Sequence, residues 1–124
     1  MIQKRIFTAG KMAMTFEPGR ILLASFPFSD HAAGKLRPIL VVSASAFNKG
    51  EDFIAVPISS RPDADGYKIN SMDSYFPDTK LKSDSTVRWS KVMVMSSTLV
   101  TKQLGEVPKE VLTEIQGRIR GIFS

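Results

Sequence analysis

The chain has 124 residues, 43% of them apolar and 23% charged, which is the composition of one folded domain and excludes a disordered chain. It has no cysteine and one histidine, so disulfide, thiol and iron–sulfur chemistry are excluded, as is any metal site that needs two imidazoles. The net charge is +5, but Lys4, Arg5 and Lys11 supply +3 of it, so a polyanion partner must be argued from clustered charge rather than from the total.

Residues 1–14 read as a flexible leader or a misplaced start, with Met12 and Met14 as alternative first residues. Lys11 interrupts the short apolar stretch after Lys4-Arg5, which is unlike a secretory signal. No apolar run approaches the ~18 residues of a membrane span, and a cytoplasmic location is expected. Residues 15–124 then form a single domain.

Glu17-Pro18-Gly19 is a turn signal, and residues 20–26 follow as a short strand closed by Pro27. Residues 28–36 form a polar loop that holds His31, Gly34 and Lys35. Residues 38–43 are a β-branched run without helical period, expected as a strand buried on both faces. After a turn at 48–52, residues 53–59 make a third strand, in which Pro57 demands an edge or a bulge. A loop at 61–66 precedes a weaker strand at 67–70 and an irregular stretch to Asp84. Residues 86–95 are expected as the longest strand. From Leu104 the chain turns into its only convincing helix, with Pro108 at the first position. Val111, Leu112, Ile115, Ile119, Ile122 and Phe123 form one apolar stripe, and Glu114 and Arg118 pair on the opposite face. Short strands followed by one terminal amphipathic helix predict a mainly β (α+β) fold, a small barrel closed or plugged by that helix.

The common phosphate-loop, dinucleotide, zinc-protease and serine-hydrolase motifs are absent. What remains is a set of basic and hydroxyl residues at strand ends, suited to phosphate chemistry without a metal. Arg37 is held extended by Pro38, and its guanidinium could grip a phosphate through two parallel hydrogen bonds. Ser59 and Ser60 end the third strand just before Arg61. Arg88 lies in the late strand beside Trp89, which could stack on a base. His31, in a glycine-containing loop, could carry protons near neutral pH. Each has an ordinary structural reading as well: a solvated arginine, turn serines, a core tryptophan, an idle loop histidine.

Taken together, Pro18-Gly19-Arg20-Ile21-Leu22-Leu23-Ala24-Ser25-Phe26, Gly34-Lys35-Leu36-Arg37-Pro38-Ile39-Leu40-Val41-Val42, Ala46-Phe47-Asn48, Ala55-Val56-Pro57-Ile58-Ser59-Ser60 and Ser85-Thr86-Val87-Arg88 occur in the order of a known family. The chain resembles the MazF/PemK family of toxin ribonucleases from bacterial toxin–antitoxin pairs, from about Glu17 to Phe123. The resemblance implies an SH3-like barrel that forms a homodimer, with single-stranded RNA along the groove between the two copies and a cognate protein antitoxin as inhibitor. It implies cleavage with no metal and no other cofactor: the 2′-hydroxyl attacks the adjacent phosphate and leaves a 2′,3′-cyclic phosphate and a 5′-hydroxyl.

Arg37 matches the family's motif arginine, an acid or charge stabiliser. Ser59 stands where threonine is usual, and His31 and Arg88 match a histidine and an arginine of some members. Lys35, Ser60, Arg61, Trp89 and Lys91 border these positions as the expected RNA contacts. Ala32 and Ser90 depart from the family, where glutamate and aspartate are often found. Their loss leaves His31 as the one group titrating near neutrality, or else implies a slow enzyme. The alternative is a catalytically weak or inactive relative, an RNA-binding or gyrase-binding (CcdB-like) module.

Overall fold

The computed structural model describes residues 16–26, 35–69 and 84–124. It contains strands β1 (Arg20–Ser25), β2 (Leu36–Val41), β3 (Asp52–Ser59), β4 (Tyr67–Ile69), β5 (Ser85–Val87), β6 (Met93–Ser96) and β7 (Val100–Glu106), followed by helix α1 (Lys109–Gly121). The strands form one seven-stranded sheet in the order β4-β5-β3-β2-β1-β7, with β6 attached to β3 beside this path. All the described pairings are antiparallel. The mainly β class with a C-terminal helix is as expected. The sheet is not closed: β4 and β7 lie at the two ends of the path and do not pair.

Strand alternation sorts the apolar residues onto two faces. Ile21, Leu40, Val56, Ile58 and Val87 point to one cluster, which Val111 and Ile115 of α1 cover, with Leu112 and Ile119 packed alongside. Leu22, Ala24, Ile39, Val41, Phe53, Ala55 and Met95 form the second cluster with Phe16 and Val100. This double burial is why β2 reads as a continuous apolar run. Phe16 stacks on Phe53 with ring centroids 5.1 Å apart. It is held there by Asn48, a buried residue of the 3-10 turn Phe47–Lys49, whose side-chain amide donates to the Phe16 carbonyl.

Gly19 joins the pieces where β1 begins. Its φ of +99° is a conformation that side chains rarely adopt. In that conformation its N–H donates to the Val41 carbonyl at 2.8 Å, and its own carbonyl accepts from Val107 N–H at 2.9 Å, just before α1.

Three elements differ from the sequence-based expectation. The long strand at 86–95 is two short strands, β5 and β6, separated by a turn at Trp89 and Ser90. Trp89 N–H bonds Val87 O and Lys91 N–H bonds Arg88 O, both at 3.0 Å. The cause lies on the facing strand. β6 pairs with β3 from Asp52 to Ala55 and β5 with Ile58 and Ser59, so Pro57 falls at the break. The Pro57 carbonyl accepts from Arg88 N–H at 2.9 Å on that side, the side where proline has no N–H to offer. The break therefore falls where the sequence requires one. Second, β7 was not expected. It is largely exposed, and its ladder with β1 carries register shifts after Ile21 and after Leu23, so it shows no two-residue period. Third, the apolar stripe of α1 ends at Ile119: Ile122 is 47% and Phe123 80% exposed. Among the described residues no helix is long and apolar enough to cross a membrane.

Candidate functional site

The second apolar cluster stops before the strands do, and polar residues continue its face. The last β2–β3 pair is Ile39↔Pro57. Two residues further along each strand, Arg37 and Ser59 stand level and on the same face. On the other side of β3, Ser59 pairs with Thr86 of β5, and Thr86 pairs with Lys68 of β4. Ser59, Thr86 and Lys68 are thus paired in a row across three adjacent strands ~4.8 Å apart, and Arg37 extends the row onto β2 just past the end of its ladder with β3. Arg88 stands one step behind this row, beside Pro57, to which its N–H is bonded.

The side chains in this row are held to different degrees. Ser59 Oγ is half-buried and accepts from Arg61 N–H at 3.1 Å. Thr86 is buried, and its Oγ1 accepts from Lys68 Nζ at 3.0 Å; the same ammonium donates to the Ala64 carbonyl at 2.6 Å. Arg37 is exposed. Arg88 is half-buried, and its Nε is fully enclosed with no hydrogen-bond partner among the described residues. The ion pairs among the described residues join Arg20 to Glu17 and Glu106, Arg61 to Asp63, and Arg118 to Glu114. None involves Arg37, Lys68 or Arg88, so three cations collect at one end of one face with no carboxylate of the described residues paired to any of them. No three imidazole or carboxylate groups converge among the described residues.

The other candidates fall around this row. Ser60 and Arg61 are exposed in the loop after β3, with Arg61 paired to Asp63 at 3.4 Å. Lys35 is exposed just before β2, its carbonyl accepting from Phe26 N–H at 3.3 Å. Trp89 is partly buried against the first cluster, on the face opposite to Arg88. Lys91 and Ser90 are exposed at the β5–β6 turn. His31 and Ala32 lie outside the described residues. Thr86 and Lys68 escaped the sequence reading, because nothing in Tyr67-Lys68-Ile69 announces its pairing with β5.

The family model of PemK-like, MazF-like toxins of type II toxin–antitoxin systems matches residues 17–123. The chain belongs to this family. Among solved structures, it is similar to MazF from Deinococcus radiodurans, with 24% identity and a TM-score of 0.65 over 86% of this chain and 94% of that one. A MazE–MazF complex from the same organism matches at 22% identity and a TM-score of 0.64, over 87% and 94% of the two chains. An endoribonuclease in complex with its cognate antitoxin, from a Mycobacterial species, matches at 17% identity and a TM-score of 0.62, over 86% and 95%. These identities speak for a shared fold, the open sheet with a C-terminal helix of the MazF-like toxins. No curated protein sequence matches the chain.

Proposed function

We propose that this toxin-family chain is an endoribonuclease that cuts single-stranded RNA without a metal ion and is neutralised in the cytoplasm by a cognate protein antitoxin. The observation that carries the reading is the enclosed, unpartnered Nε of Arg88 at the same strand ends as Arg37 and Ser59. A buried guanidinium donor without an acceptor is costly, by about 1–3 kcal/mol, unless function requires it. A phosphate oxygen is the acceptor that suits a guanidinium best. In this reading the 2′-oxygen bonds to the adjacent phosphorus as the bond to the 5′-oxygen breaks, giving a 2′,3′-cyclic phosphate and a 5′-hydroxyl. Arg37 and Arg88 stabilise the charge that accumulates on the phosphoryl oxygens, and the Ser59 hydroxyl bonds one of them. His31 takes the proton of the 2′-hydroxyl, and the departing 5′-oxygen takes a proton from water to become the 5′-hydroxyl.

Lys35, Ser60, Arg61 and Lys91 border the row and serve as backbone contacts for the flanking RNA. Trp89 serves as a base contact only where its ring edge emerges from the core. The antitoxin reading draws support from the Deinococcus MazE–MazF complex and the mycobacterial toxin–antitoxin complex. A homodimer would bring two such rows to one groove. The competing reading, a weakly active or inactive binder of RNA or gyrase, draws on Ala32 and Ser90, where family carboxylates are missing; it predicts binding without cutting.

Arg37 separates these readings. If its charge acts in the transition state, Arg37→Ala lowers the cleavage rate by about 10²–10³-fold and weakens RNA binding far less. Arg37→Lys rescues poorly, because a point charge lacks the two-pronged grip. An equal loss in binding and rate would assign Arg37 to binding alone.

A further inference from the structure

Beside the polar row, the loop after β3, strand β4 and the start of β5 enclose a cleft of about 480 Å3. Arg61 and Pro62 line it from the loop, Lys68 from β4, and Asp84 and Thr86 from the far side. An ammonium has three N–H donors. Two of those on Lys68 are taken by the Ala64 carbonyl and Thr86 Oγ1, both neutral acceptors. Its charge therefore stays uncompensated by any carboxylate among the described ion pairs, and one donor remains for a ligand. Unlike an ordinary surface lysine, this one is already fixed at two points, so little freedom is left to lose on binding.

Lys68 stands two strands away from Ser59, hence about 10 Å across the sheet. The cleft is lined by none of Ser59, Arg37 and Arg88, so a phosphate seated in it is a different one from that held by those three. Lys68 offers the cleft one positive charge and one remaining N–H donor, which match a single anionic oxygen of a singly charged group better than the dianion of free phosphate. A phosphodiester in a nucleic-acid strand carries a single negative charge.

We infer that Lys68 and its cleft bind a phosphodiester of the RNA strand other than the one being cut. The inference rests on the endoribonuclease reading for the identity of the strand, and on the Lys68–Thr86–Ala64 geometry for the site. Arg61, exposed and only loosely paired with Asp63, closes on the same phosphodiester from the loop. Lys68 thus sets how tightly and in which register the strand lies, while the reacting phosphate is handled at Arg37, Ser59 and Arg88.

The test uses the full chain and a fluorescently labelled single-stranded RNA, with wild type, Lys68→Gln and Lys68→Arg compared in cleavage and in a salt series of binding. For Lys68→Gln we expect KM to rise about tenfold with kcat nearly unchanged, as for loss of one charged hydrogen bond. The slope of log affinity against log salt should fall by about 0.7, the value for one phosphate contact on a single strand. Lys68→Arg should restore both, which separates lost charge from a loosened loop. Millimolar inorganic phosphate should not compete with RNA at the cleft. Unchanged KM and salt slope in Lys68→Gln, a loss confined to kcat, or competition by inorganic phosphate would each overturn the inference. Wild type that binds RNA without cutting it removes the catalytic reading alone, and the salt slope still decides Lys68. Wild type that binds no RNA removes both.

Discussion

Arg88 has two jobs that pull on different parts of one residue. Its backbone N–H closes the gap left by Pro57, and its enclosed Nε faces no acceptor among the described residues. The backbone bond fixes where the side chain starts. Gly66 sets a similar constraint one strand further out. Its φ is +148°, and a Cβ there would meet the Val87 carbonyl oxygen at 2.2 Å and Thr86 Cγ2 at 2.8 Å. Gly66→Ala should therefore push β4 away from β5 and cost about 1–3 kcal/mol, read as a lowered urea midpoint. Because β4 carries Lys68, the same variant should also bind RNA more weakly than its remaining folded fraction accounts for. His31 makes the remaining prediction at this scale. A general base must be neutral to accept a proton, so the cleavage rate should rise with pH through the imidazole titration. His31→Gln should flatten that limb and cost about 10²-fold. A variant with full activity and an unchanged pH profile would leave catalysis to Arg37, Ser59 and Arg88.

Among the elements, α1 shows which part of an amphipathic pattern is core and which is not. Ile115 is fully enclosed, so Ile115→Ala should cost about 2–5 kcal/mol in chemical denaturation. Phe123, on the same predicted stripe but 80% exposed, should tolerate Phe123→Ser with little change. The helix itself was legible because its period, its proline start and the Glu114–Arg118 pair agree; that pair forms at 3.0 Å. Strands β1, β2 and β3 were legible from β-branched runs bounded by proline and turn residues. The break between β5 and β6 was half-legible: Pro57 announced an interruption, but its position on the opposite strand depends on pairing, which residues 86–95 do not encode by themselves. β7 was hidden because a bulged, mostly exposed strand has no alternation to read. The site followed the same division. Arg37 and Ser59 sit at ends of legible strands, and Arg88, expected inside one long strand, falls just after the break that ends β5; Lys68 and Thr86 depend on the β4–β5 ladder and surfaced only with it.

At the scale of the whole molecule, the +5 charge is a poor guide and its distribution a better one. Three of the positive charges precede residue 15, while Arg37, Lys68 and Arg88 gather at one end of one sheet face. Apolar clusters anchor the strands that carry these residues: Ile39 and Ala55 hold β2 and β3 in one, and Ile69 and Val87 hold β4 and β5 in the other. The open sheet and terminal helix are those of the MazF-like toxins, and the central claim is that this one uses the residues at these strand ends to cut RNA with side chains alone. The most direct measurement is incubation of the purified chain with end-labelled single-stranded RNA in excess EDTA, followed by analysis of the new ends. The account predicts cleavage that survives the chelator and leaves 2′,3′-cyclic phosphate and 5′-hydroxyl termini. Cleavage that disappears in EDTA and returns with Mg²⁺ or Mn²⁺, or that leaves 5′-phosphate ends, would contradict it.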